Sequence, residues 1–208
     1  MGAHCCDHEL EARDATVRRI LSIALVLNAG MFAAEVIGGM ATGSLALQAD
    51  SLDFLGDSAT YGVSLFVMSR SVAWRAGAAL SKGGAMAALG LAILATAAFS
   101  FANTEPPAHT TMGVIGTLAL GVNVVCAALL YRFRSAEANL RSAWLCSRND
   151  AIGNLAVLAA AAGVWGTATH WPDVIVGVGM ATLALIGSAQ VIRQAWGELH
   201  PPAATARP

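Results

Sequence analysis

Six apolar stretches, each long enough at 1.5 Å per residue to cross about 30 Å of hydrocarbon as a helix, divide this sequence from end to end. They run Val17–Met40, Ser44–Ser69, Gly84–Phe101, Thr111–Tyr131, Ala143–Thr167 and Val174–Trp196. The breaks carry turn chemistry: Gly38-Gly39 and Gly43, then Pro106-Pro107, then Trp171-Pro172-Asp173. A chain of this kind cannot form a soluble domain. It is 56% hydrophobic and 12% charged, where soluble domains carry about 25% charged residues. The pattern predicts an all-α integral membrane protein, a bundle of six transmembrane helices. The first stretch is too long for a signal peptide and holds Asn28 and Glu35, so it reads as a retained helix.

Basic residues give the orientation. Arg13, Arg18 and Arg19 precede the first stretch, and Arg70, Arg75 and Lys82 fall between the second and third. Arg132, Arg134 and Arg141 fall between the fourth and fifth, and Arg193 and Arg207 follow the sixth. The other three connections have no Lys or Arg, so eleven of the twelve basic residues gather on one side. By the positive-inside rule that side, with both termini, is cytoplasmic. The expected organisation is a cytoplasmic tail over 1–16, a six-helix transmembrane domain over 17–197 and a short disordered tail over 198–208.

Two acid-bearing turns interrupt the apolar pattern. Asp53-x-x-x-Asp57 lies in the second stretch and Cys146-x-x-x-Asp150 in the fifth. A spacing of four places both members of each pair on one helix face. Three such carboxylates and Glu35 would cost about 10 kcal/mol in lipid if the insertion scale added simply. A divalent cation held between the turns offsets that penalty. The two helices run antiparallel, Asp53 and Asp57 come roughly nine to thirteen residues along the second, and the turn of the fifth is expected at a similar depth, so that both arrive near the midplane. Three carboxylates and a thiol can close a tetrahedron around a zinc-like ion. Such groups in lipid prefer to keep their protons and give them up to water when a cation binds, which couples metal entry to proton exit.

At these residues the chain resembles a known family. The run from Ser44 to Ser58, Ser-Leu-Ala-Leu-Gln-Ala-Asp-Ser-Leu-Asp-Phe-Leu-Gly-Asp-Ser, is similar to the second-helix signature of the cation diffusion facilitators. Arg141 through Asn154 matches their fifth-helix turn, and Asn28 and Glu35 ahead of Gly38-Gly39 fit their first helix. The resemblance covers about residues 15–199 and implies proton-coupled export of zinc or related divalent metals across the cytoplasmic (inner) membrane. It implies no permanent cofactor: Zn2+ or Cd2+ is cargo, cobalt a further candidate, and H+ the counter-ion. The partners implied are these ions, the lipid bilayer and a second copy of the chain in a homodimer; nothing in the charge pattern suggests nucleic acid.

Two departures stand out. Cys146 occupies a position where the family usually has His or Asp, which softens the site toward zinc or cadmium. Family members also usually continue into a cytoplasmic metal-binding domain, whereas this chain stops about a dozen residues after Trp196. A dimer would then rest on helix contacts, for which Gly30-x-x-x-Ala34-x-x-x-Gly38 and Gly113-x-x-x-Thr117-x-x-x-Gly121 offer small-residue faces.

The expected transport site is Asp53, Asp57, Cys146 and Asp150. Asp50 shares the face of Asp53 and Asp57; helix start, exit path and accessory ligand remain open for it. Asn28 and Glu35, seven apart on one face, are read as supporting the site through hydration or gating rather than as primary ligands. Arg148 points away from the Cys146–Asp150 face, toward a carboxylate or the interface. Asn123 and Cys126 read as ordinary packing and polar-contact residues. The amino-terminal run holding His4, Cys5, Cys6 and His8 reads equally as a metal-capture tract and as a leader with incidental ligands. Rival functions are a passive channel or metal sensor using the same site, and an intramembrane aspartyl protease. The protease needs only one Asp per helix, and its Gly-x-Gly-Asp signature is absent before Asp57. No Walker A loop is present, which argues against ATP-driven pumping.

Overall fold

The computed structural model describes the backbone of residues 3–66, 71–100, 105–133 and 138–200, and the side chains of 15–66, 71, 73–100, 105–133, 140 and 143–200. Six α-helices follow in order: α1 (Ala3–Thr42), α2 (Leu45–Phe66), α3 (Val72–Ser100), α4 (His109–Tyr131), α5 (Ala138–Thr167) and α6 (Trp171–Leu199). The bundle has an apolar core but, unlike a soluble protein, is apolar outside as well and shelters polar residues within. Val26, Ile37, Met40, Phe99, Val114 and Leu183 face outward, while Asn28, Glu35, Asp50, Asn123, Asn154 and Asp173 are buried. Lipid as solvent produces this arrangement, since exposed apolar side chains cost nothing there and polar ones do.

Four helices are long and apolar enough to cross a membrane on composition alone: α1 over Ala15–Thr42, α3 over Ala73–Ser100, α4 and α6. The other two, α2 and α5, are the helices that carry the acid turns. They are of spanning length, with 22 and 30 residues. Their polar residues are sheltered inside the bundle: α2 packs against every other helix. Exposed tryptophans mark the ends of the helices, Trp74 and Trp196 at one end, Trp165 and Trp171 at the other, as expected at membrane–water interfaces.

Two helices begin more than ten residues earlier than the apolar pattern indicates. Helix α1 starts at Ala3 rather than Val17, and α3 at Val72 rather than Gly84. Glu, Leu, Ala, Arg and Lys in those extensions are good helix formers, so the helix outruns the hydrocarbon-like part of its sequence. Lys82, expected in a connection, therefore lies within a membrane-crossing helix. His4, Cys5, Cys6 and His8 fall on the first turns of α1, and their side chains lie outside the described residues, as does the 201–208 tail.

Close backbone approaches fix the packing. Helices α3 and α6 run together where a side chain on Gly83 would strike Ile192 and one on Gly90 would meet Leu185; Ser188 Oγ donates to the Gly83 carbonyl across 3.1 Å. Gly38 lets Ile115 of α4 seat against α1, so this small residue serves packing within the chain. Gly30, Gly113 and Gly121 face open space. At Gly43 the backbone turns left-handed (φ 72°), and this residue ends α1 sharply enough for α2 to start at Leu45.

Candidate metal site

Two side-chain contacts register α2 against α5. Tyr61 Oη and Ser147 Oγ are hydrogen-bonded at 2.9 Å, and Asn154 Nδ2 donates to Asp50 Oδ2 across 2.6 Å. The pairings run antiparallel; Asp53, Asp57 and Asp150 fall between them, and Cys146 lies just beyond, next to Ser147. Asp53 and Asp150 line one cavity of about 320 Å³, enclosed further by Met86, Asn149, Gly153 and Met180. This cavity sits where α2, α3, α5 and α6 meet. Its wall combines two carboxylates with two thioethers, a hard and a soft donor set.

Asp57 is buried, and its Oδ2 accepts from Tyr61 Oη at 3.1 Å. Cys146 is exposed and lies outside the cavity wall, yet within electrostatic range of Asp53, Asp57 and Asp150. Among the described residues no three His, Cys, Asp or Glu side chains converge tightly enough to hold a metal ion. The four expected ligands are thus neighbours across one helix interface without closing on a common point.

Lys82 reaches into this region from α3. Its Nζ donates to Thr60 Oγ1 at 2.7 Å and acts electrostatically on Asp57, Cys146 and Asp150. Its stem passes the small Gly56, where an added side chain would meet Met86 and then the Lys82 chain. Arg148 does not join the site: it is exposed, sits 5.3 Å from the Trp144 ring and donates to Asn149.

Asp50, Glu35 and Asn28 lie apart from the cavity wall. Asp50 is tied to Asn154, whose Oδ1 in turn accepts from Asn123 Nδ2 at 2.9 Å. Asn28 Nδ2 donates to the Ala24 carbonyl and to Cys126 Sγ. Asn123 and Cys126 therefore hold the polar interior together. A larger open cavity, about 590 Å³, lies at the end where the α1–α2, α3–α4 and α5–α6 connections gather, with Thr42, Glu105, His170 and Asp173 in its wall. It is remote from the acid turns.

Several residues around the site were not singled out from the sequence. Tyr61 and Asn154 had a signal, since Asp53-Asp57-Tyr61 and Cys146-Asp150-Asn154 both continue the spacing of four. Ser147 and Lys82 had none.

A multi-pass helical bundle that buries carboxylates of two helices beside an internal cavity has the architecture of a membrane transporter rather than an enzyme. Residues 21–199 match the cation efflux transmembrane domain, and the chain belongs to the cation efflux family. It is similar to the cadmium, cobalt and zinc/H(+)-K(+) antiporter of Bacillus subtilis, 28% identical over 182 residues, or 81% of this chain and 58% of that protein. It is also similar to the metal cation efflux system protein CzcD of Cupriavidus metallidurans, 28% identical over 172 residues, or 77% and 54% of the two chains. The chain thus spans a little over half the length of these curated relatives.

Proposed function

We propose that this protein exports divalent metal cations, zinc or cadmium foremost and cobalt as a further cargo, from the cytoplasm across the inner membrane in exchange for protons. Its termini face the cytoplasm in this reading, as the basic residues require. The observation that carries the reading is the cavity shared by Asp53 of α2 and Asp150 of α5, inside a membrane bundle where a carboxylate without a cation is costly. The name of the Bacillus subtilis relative, which speaks of cadmium, cobalt, zinc, H(+) and K(+), and that of the Cupriavidus metallidurans relative, which speaks of metal cation efflux, support the same chemistry.

Asp53, Asp57, Cys146 and Asp150 are the ligands in this scheme. A small sliding of α2 against α5 would bring Asp57 and Cys146 toward the cavity, so that ion capture and helix movement become one event. The ion would leave through the open cavity at the opposite end from the termini. Zinc or cadmium uptake by reconstituted vesicles under an imposed proton gradient tests this. Asp57→Ala is expected to abolish transport, and Cys146→His to shift preference from cadmium toward zinc. Native rates in Asp57→Ala would refute the four-residue site.

A further inference from the structure

A second group of buried oxygens stands beside the metal cavity. Glu35 of α1 is completely buried, and neither of its carboxyl oxygens meets an N–H or O–H donor. Asp50 of α2 is equally buried; its Oδ2 takes the Asn154 amide, while Oδ1 has no donor. The two carboxyls are neighbours across the packed α1–α2 interface and act on each other electrostatically. The Asn154 amide is oriented by Asn123, which donates to its Oδ1, so its NH2 points at Asp50.

Two neighbouring carboxylates shut away from water are not both ionised without a cation or donor between them. A proton between them resolves both defects: it supplies the missing donor and removes one of the two like charges. We propose that Glu35 and Asp50 bind a single proton between them, and that this pair is a proton-exchange site distinct from the metal ligands.

The surroundings link the pair to the cavity. Asp53 lies one turn from Asp50 on α2 and interacts electrostatically with both Asp50 and Glu35; Asp150 of α5 interacts with Asp50. Helix α4 contributes the neutral Asn123. Lys82 of α3 acts on Asp57, Cys146 and Asp150, and Asp173 of α6 is held at the start of α2. A divalent cation arriving between Asp53 and Asp150 therefore puts positive charge beside the pair and drives its proton off. The pair passes from one negative charge to two as the cation brings two positive ones, and the departing proton leaves as H+. When a proton returns, the second negative charge disappears and the cation is held less tightly. Its part in transport rests on the metal–proton exchange proposed above; the shared proton itself does not.

Infrared spectroscopy on the whole chain in metal-free lipid vesicles tests the pair directly. Native protein is expected to show the C=O stretch of a protonated carboxyl that shifts in D2O. Glu35→Gln should remove that band, because the new amide donates to Asp50 and leaves it ionised. Asp50→Asn should do the same from the other side. A Glu35→Gln spectrum with the native carboxyl bands intact would overturn the proposal. So would a native spectrum that lacks the protonated band and whose carboxylate bands respond to potassium, since the pair would then hold a metal cation. In the transport arm, Glu35→Gln should release one fewer proton per zinc bound than native protein; equal release would overturn the exchange role. Native vesicles that neither bind nor move zinc would defeat the exporter reading, while the infrared result would still decide whether the proton is shared.

Discussion

Asp173, at the start of α6, holds Ser44, the residue that opens α2: the Ser44 hydroxyl donates to Asp173 Oδ1 across 2.6 Å. The same carboxylate accepts the Leu45 and Ala46 amides at 2.7 and 3.0 Å, and Ser44 Oγ accepts the Leu47 amide at 3.2 Å. The first three N–H groups of α2, orphaned by helix geometry, are all satisfied, two of them by a residue more than a hundred positions away. Negative charge at a helix N-terminus adds to this. Gly177 permits it, since a side chain there would collide with Leu45.

Asp173→Asn is expected to destabilise the protein by about 2 kcal/mol, the scale of a buried hydrogen bond to a charged acceptor. Thermal unfolding in detergent measures this, with Ser44→Ala as comparison at about 1 kcal/mol. An Asn variant as stable as native would show that α2 is positioned by packing alone.

Tyr61 connects the stability of the interior to the metal site. Its hydroxyl donates to Asp57 while lying 2.9 Å from Ser147 Oγ, so it fixes the Asp57 carboxylate against α5. Tyr61→Phe should weaken zinc binding by about 10-fold, the usual consequence of removing a ligand's hydrogen-bond partner. The apparent KM for zinc in vesicle uptake is the quantity to follow. A purely structural role for Tyr61 would instead lower the amount of folded protein and leave the KM of what remains unchanged.

The part of this architecture legible in the sequence is the part written in local periodicity. Helix α4 was expected over Thr111–Tyr131 and spans His109–Tyr131, because its ends coincide with the ends of its apolar run. Helices α1 and α3 began earlier because hydropathy marks lipid, while Arg75, Lys82 and the Glu-Ala-Arg stretch of α1 favour helix without favouring lipid. The acid turns were visible through their spacing of four. Asp173 with Ser44, Lys82 with Thr60 and Glu35 with Asp50 were not, since each pair is brought together by packing between different helices, and no repeat in a single helix reports its partner.

Ala168 follows the last residue of α5 with its backbone in the left-handed region, at φ 51°, and its amide donates to the Val164 carbonyl at 2.9 Å. This is where a helix ordinarily ends on glycine, because a Cβ is strained there. Ala168→Gly is expected to stabilise the protein by about 1 kcal/mol and to leave transport unaltered. Ala168→Val should destabilise it. Chemical unfolding of both variants measures the difference, and a Gly variant no more stable than native would mean that the strain is relieved elsewhere.

Lys82 is a cation tethered beside the expected ligands, bonded to Thr60 and acting on Asp57, Cys146 and Asp150. A fixed ammonium there stabilises the carboxylates in the absence of metal and competes with the metal when it arrives. Removing the charge with Lys82→Gln should therefore tighten zinc binding by about 10-fold, equivalent to about 1.4 kcal/mol of lost repulsion. Tighter binding slows release, so the maximal transport rate should fall as the apparent KM falls. Lys82→Arg preserves the charge and should stay near native on both measures. Equilibrium zinc binding and vesicle uptake, measured on the same preparations, separate the two effects. Weaker zinc binding in Lys82→Gln, with native behaviour in Lys82→Arg, would show instead that the ammonium orders the ligands and does not compete with the ion.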